Sequence, residues 1–215
     1  GDNHATIRLA FCFEEGEGVE KDETWAIELF QIVASMGDSV MRDIAHDYEN
    51  GNGVPQDKQK AIKLYEWAAE TGDTDAMVQL GKCSLEGDGV TRDLKRAIQW
   101  FQRAAQMGKT NPLVELADRL FQGNDIEQDK QKAIELYQKA ADFDDSDAMV
   151  RLAFCLKEGD GMEKDEKKAT QLCQIVLNKG EISIIDCLRD FKRGRDKLPH
   201  NQKRTIELCQ WAADY

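Results

Sequence analysis

Proline occurs only three times in these 215 residues, whereas Ala, Leu, Glu, Lys and Gln are abundant. With helix breakers scarce and strong helix formers common, the chain reads as all-α. No apolar run approaches the length of about 18 residues that a spanning helix needs, and residues 1–20 lack a charged start followed by an apolar stretch, so membrane insertion is not expected. Basic residues are in deficit, 29 against 41 acidic, for a net charge of −12. Without a lysine or arginine stripe to release counterions, nucleic acid and anionic membrane are poor partners. The 41% hydrophobic content still suffices for a continuous core, which argues against disorder.

Six cysteines, Cys12, Cys83, Cys155, Cys173, Cys187 and Cys209, are too few and too far apart for a disulfide-built domain, and no C-x-x-C is present. Buried thiols are the plain reading. They favour a reducing, cytoplasmic compartment over an oxidising one, while a periplasmic or host-cell location stays open. Histidine is equally sparse: His4, His46 and His200 are far apart, and neither H-E-x-x-H, G-x-S-x-G nor G-x-x-x-x-G-K-[ST] occurs. No catalytic set, cofactor site or metal site is expected. The acidic run 142–147 lacks the ligand order and closing glutamate of a calcium loop and reads as a solvated turn.

What the chain does have is a period. The segments DKQKAIKLYEWAAETGDTDAM (57–77), DLKRAIQWFQRAAQMGK (93–109) and DKQKAIELYQKAADFDDSDAM (129–149) repeat one pattern. Its first aspartate recurs at Asp22, Asp57, Asp93, Asp129 and Asp165, with Asn201 in sixth place, at spacings of 35, 36, 36, 36 and 36. A second ladder, Gly1, Gly37, Gly72, Gly108, Asp144 and Gly180, keeps the same intervals. The missing residue lies between Gly37 and Tyr48, where a turn or a first helix must be shorter. The units are expected at 1–36, 37–71, 72–107, 108–143, 144–179 and a degenerate 180–215. Because Gly1-Asp2 matches the end of a unit, the chain is expected to continue a longer array, whose other repeats would count among its partners.

Within a unit, Ala148, Leu152, Cys155 and Leu156 line one side of a first helix, A. The runs at 16–19, 51–54, 87–90 and 159–162 supply paired glycines for a tight reversal. The aspartate that follows is placed to cap helix B, whose inner side in the second unit holds Ala61, Leu64, Tyr65, Ala68 and Ala69. A glycine at the end suits a left-handed C′ position. Each hairpin is too short to bury its apolar side alone, so it must stack on its neighbours.

In the third unit, AMVQLGKCSLEGDGVTRDLKRAIQWFQRAAQMG (76–108), these signals fall together and the chain resembles the Sel-one-like repeat family, relatives of the tetratricopeptide repeat. Ser84 stands where the family pattern has tyrosine, and Asp125 and Pro112 mark departures in the fourth unit. The resemblance implies a right-handed α/α superhelical solenoid of about six antiparallel helix pairs, acting as a scaffold or adaptor. A regulatory arm of a larger enzyme, or a hydrolase-like cysteine-rich relative, is the alternative. Relatives with a disulfide use C-x7-C, which is absent here; Cys155 with Cys173 is the pair to check.

If helix A lines a concave side, the residues opposite its buried stripe face a protein or peptide partner. Register ten gives Phe11, His46, Lys82, Asp118 and Phe154; register seven gives Arg8, Arg42, Gln79, Glu115 and Arg151; register fourteen gives Glu15, Asn50, Glu86, Gln122 and Glu158. They vary from unit to unit while packing positions stay alike. Phe11 and Phe154 have two readings: apolar area that a partner covers, or packing against the adjacent helix A.

Overall fold

The computed structural model describes residues 2–37, 39–123 and 125–179. The sixth expected unit, with Cys187, His200, Asn201 and Cys209, lies outside them, as does Gly1. The described residues form ten helices and no strand, so the chain is an all-α array of helical hairpins. It divides into two compact units, Gly1–Lys109 and Thr110–Tyr215.

The first unit holds α1 (Asn3–Glu15), α2 (Glu23–Ala34), α3 (Val40–Asn50), α4 (Lys58–Glu70), α5 (Thr74–Glu86) and α6 (Leu94–Gln106). The second holds α7 (Asn111–Gln122), α8 (Lys130–Asp142), α9 (Ser146–Glu158) and α10 (Glu166–Asn178). Odd-numbered helices are A and even-numbered are B. One loop device joins A to B in all five pairs. Helix A ends on a glycine in the left-handed region, Gly16, Gly51, Gly87, Gly123 or Gly159, with φ between 71° and 78°. The B-helix cap aspartate donates its own N–H back to helix A: Asp22 to Phe13 O at 2.9 Å, Asp57 to Tyr48 O at 2.8 Å, Asp93 to Ser84 O at 2.7 Å, and Asp129 and Asp165 to Leu120 O and Leu156 O at 2.9 Å. Its carboxylate then accepts from the first turn of helix B, as from Trp25 N in α2 and Lys60 N in α4, both at 3.0 Å. Backbone and side chain of one residue thus satisfy groups on both helices.

Asp144, the non-glycine member of the glycine ladder, adopts φ 68°. Aspartate tolerates that region better than most residues, and Lys179 Nζ meets its carboxylate at 2.7 Å. The missing residue of the second repeat comes out of helix A: α3 has 11 residues where α1, α5 and α9 have 13. Its Ser39 cap makes no side-chain hydrogen bond, unlike Asp2, Asp73 and Asp145.

The core of the first unit runs from Ile7 and Phe11 through Phe30, Ile44, Tyr48, Leu64 and Tyr65 to Leu80 and Ala104. Helix B contributes alanines where helices approach, Ala68 and Ala69 in α4 and Ala104 and Ala105 in α6, all essentially buried. In α5, Gly81 lets the Phe101 ring lie where a Cβ would sit, 2.3 Å from the nearest ring atom. The fold therefore depends on small residues facing large ones across each hairpin. Cys12, Cys83 and Cys155 are free thiols, so Cys155 forms no disulfide with Cys173.

Candidate partner-binding face

Helices α3 and α5 are the A helices of successive repeats in the first unit, and α4 packs against both. Arg42, Asp43 and His46 from α3, Asp75, Val78, Gln79 and Lys82 from α5, and Tyr65 from α4 line an open cleft of about 240 Å³. Four of the fifteen candidate residues, Arg42, His46, Gln79 and Lys82, thus share one concavity.

Arg42 organises one end of it. Its Nη1 donates to both oxygens of Asp73, at 3.2 and 2.9 Å, and to Asp75 at 3.3 Å, while Nη2 lies 3.4 Å from Asp43. The Asp73 side chain is only 4% exposed and also accepts from Ala76 N at 2.9 Å, so the same carboxylate caps α5. Burial works against the Arg42 charge, yet Asp73, with Asp43 and Asp75, more than offsets it and holds its pKa above the ordinary guanidinium value. The hydrogen bond from Lys109 lowers the Asp75 pKa against some burial, helped by the charges of Lys109 and Arg42. Tyr65 turns its hydroxyl to Glu49, donating at 2.7 Å.

The rest of the cleft is less committed. His46 is exposed and meets Asn50 one turn along its own helix, with Asn50 Nδ2 3.1 Å from His46 Nδ1. Lys82 is exposed and has no ion-pair partner among the described residues. Gln79 is half-buried between them and α4.

In the second unit the same registers are filled differently. Asp118 is half-buried, accepts from Tyr137 Oη at 2.5 Å and pairs with Arg151 Nη2 at 2.9 Å. Burial raises the Asp118 pKa, against the pull of Tyr137 and Arg151. The buried Arg151 Nε has no hydrogen-bond partner among the described residues. Phe154 is half-buried; Glu115 and Glu158 are exposed.

Two sequence expectations need correction. Phe11, one of the candidate partner contacts, is 2% exposed. Its ring meets Phe30 and Tyr48 edge-on, with centroids 5.2 and 5.7 Å away, and Lys60 Nζ lies 5.0 Å over it while pairing with Glu15 at 3.1 Å. The second repeat seals it, so it offers no apolar area to a partner. Arg8 beside it stays exposed. Arg42 also belongs to a different register. Counted back from the left-handed glycines, Asp43 aligns with Arg8, Gln79, Glu115 and Arg151, whereas Arg42 aligns with Ile7, Val78, Val114 and Val150. A cation at an otherwise aliphatic position was the legible sign of the cleft. Asp73, Asp75 and Lys109, which complete its ionic end, gave no such signal.

Sel1 repeats match residues 3–38, 40–73, 74–109, 113–142 and 146–175, most of the chain. The chain belongs to the Sel1 repeat family. Its fold is shared with a Sel1 repeat protein from Oxalobacter formigenes, at 25% identity and a TM-score of 0.51, covering 99% of this chain and 88% of that one. It is likewise similar to c5321, a protective antigen of uropathogenic Escherichia coli strains with an SLR fold, at 25% identity and a TM-score of 0.52. Here 99% of this chain aligns with 46% of that one, so it spans about half the length of c5321. No curated protein matches the chain. Sel1 repeat proteins generally bind protein partners as interaction scaffolds and are typically non-enzymatic. No helix among the described residues of this Sel1 protein is long and apolar enough to cross a membrane.

Proposed function

We propose that this Sel1 repeat protein is an adaptor that grips a peptide or a folded protein on its helix-A face, with the α3–α5 cleft as the principal contact. The observation that carries this reading is the cleft itself: residues that vary between repeats, His46, Gln79 and Lys82, converge on one concavity beside an ion-paired wall. Constant residues build the hairpin and variable ones face outward, as a surface for a non-repetitive ligand requires. Arg8 and Glu15 belong to this face in the first repeat, and Glu115, Asp118, Arg151, Phe154 and Glu158 hold the corresponding helix-A positions within the second unit.

The test is a photo-crosslinking side chain placed in turn at Gln79 and at Lys95, an exposed position on α6, in cells of the source organism. A discrete protein adduct from position 79 and none from position 95 is the expected result. Equal yields from both, or adducts from position 95 alone, would refute the assignment of the face.

A further inference from the structure

The two units solve one geometric problem in different ways. In the second, the residue five before the A-helix glycine is Asp118, the one eight before the next such glycine is Arg151, and helix B between them supplies Tyr137; phenol and guanidinium both bond the carboxylate. In the first, the same places hold His46, Gln79 and Tyr65. The acid is gone, the phenol has turned to Glu49, and a cleft stands between α3 and α5. Its two carboxylates are already matched, Asp75 by Lys109 and Arg42, and Asp43 by Arg42. The Lys82 ammonium has no ion-pair partner among the described residues, and the His46 imidazole from α3 and the Gln79 amide from α5 line the same cleft.

We infer that the α3–α5 cleft receives an aspartate or glutamate side chain of a protein partner, which supplies from outside the acceptor that Asp118 supplies from within in the second unit. Lys82 provides the charge, His46 and Gln79 provide directional N–H donors, and Val78 with the Tyr65 ring holds the aliphatic part of the incoming side chain. The net charge of −12 does not oppose this at contact range, because salt screens it beyond about 8 Å. This rests on the proposed use of the helix-A face.

The test uses the full chain, isotope-labelled for NMR, with N-acetyl-glutamate N-methylamide as probe and the isosteric glutamine compound as control. Saturable shifts at His46, Gln79 and Lys82 are expected with the acid, and binding about two- to fivefold weaker with the amide or in Lys82→Gln. Lys95→Gln should leave the titration unchanged. Equal titration by both compounds, indifference to Lys82→Gln, or shifts gathered at outlying lysines such as Lys95 and Lys139 would overturn the inference. If crosslinking at Gln79 captures a partner while the acid shows no preference for the cleft, the adaptor reading stands and only the carboxylate specificity fails.

Discussion

Leu9 and Leu80 occupy the same place in their repeats, seven residues before the closing glycine of helix A, and differ in burial: 44% exposed against 1%. The reason lies in the stacking, since α5 packs against both α4 and α6, whereas the outer side of α1 carries no helix among the described residues. Truncating a buried leucine to alanine costs about 2–5 kcal/mol, combining lost transfer energy with the cavity left behind. At Leu80, packed within the core cluster, about 3–4 kcal/mol is expected. At Leu9, nearly half of the side chain already meets water and no closed cavity forms, so roughly 1 kcal/mol is expected. Urea titration followed by circular dichroism reads the difference. With a slope of about 2 kcal/mol/M, Leu80→Ala should shift the midpoint about 1 M further than Leu9→Ala. Equal shifts would refute the idea that neighbouring hairpins supply the burial each one lacks.

Gly81→Ala places a methyl group against the Phe101 ring; although alanine is the better helix former by about 1 kcal/mol, overpacking should reverse the sign to a net loss of about 1–2 kcal/mol in thermal unfolding. Arg42→Ala strands the nearly buried Asp73 carboxylate and should cost about 2–3 kcal/mol, which the melting temperature would show; no loss would mean the ion pair is not formed in solution. Because pairing lowers the Asp75 pKa from 3.8, its contribution is present above that value and lost as pH falls through the lower folded pKa. Asp75→Asn should accordingly flatten the decline of melting temperature with acid below about pH 4. Burial pushes the Cys83 and Cys155 thiols up to about 11, so at pH 8 only about one in a thousand is ionised. A disulfide reagent should label both only after unfolding, and rapid native labelling would contradict their placement.

The repeat was legible because its signals are local. A cap aspartate and a left-handed glycine act on backbone within a few residues, so spacing alone located five B-helix caps and the four helix-A ends at Gly16, Gly51, Gly87 and Gly159. Even Asp144 obeyed its ladder, taking the positive φ that its glycine counterparts take. The candidate site was half legible. A register drawn on one helix assumes that the side opposite the buried stripe faces water, and Phe11 shows the flaw: Tyr48 and Lys60, from the next repeat, close over it. Arg42 was misplaced because the shortening falls within helix A, and counting forward from Gly37 does not show where; counting back from Gly51 does. Its partners, Asp73 and Asp75, come from the following repeat, about thirty residues away, beyond the reach of any local pattern.

The most direct test of the adaptor assignment is calorimetry on the partner captured at Gln79, comparing two triple variants of the full chain. One changes His46, Gln79 and Lys82 to alanine; the other changes Glu70, Lys95 and Gln99, exposed residues of α4 and α6. Loss of the cleft contacts should weaken binding by about tenfold or more, while the second variant stays within about twofold of the parent. Unchanged affinity in the first variant, or a larger loss in the second, would contradict the claim that the helix-A face holds the partner.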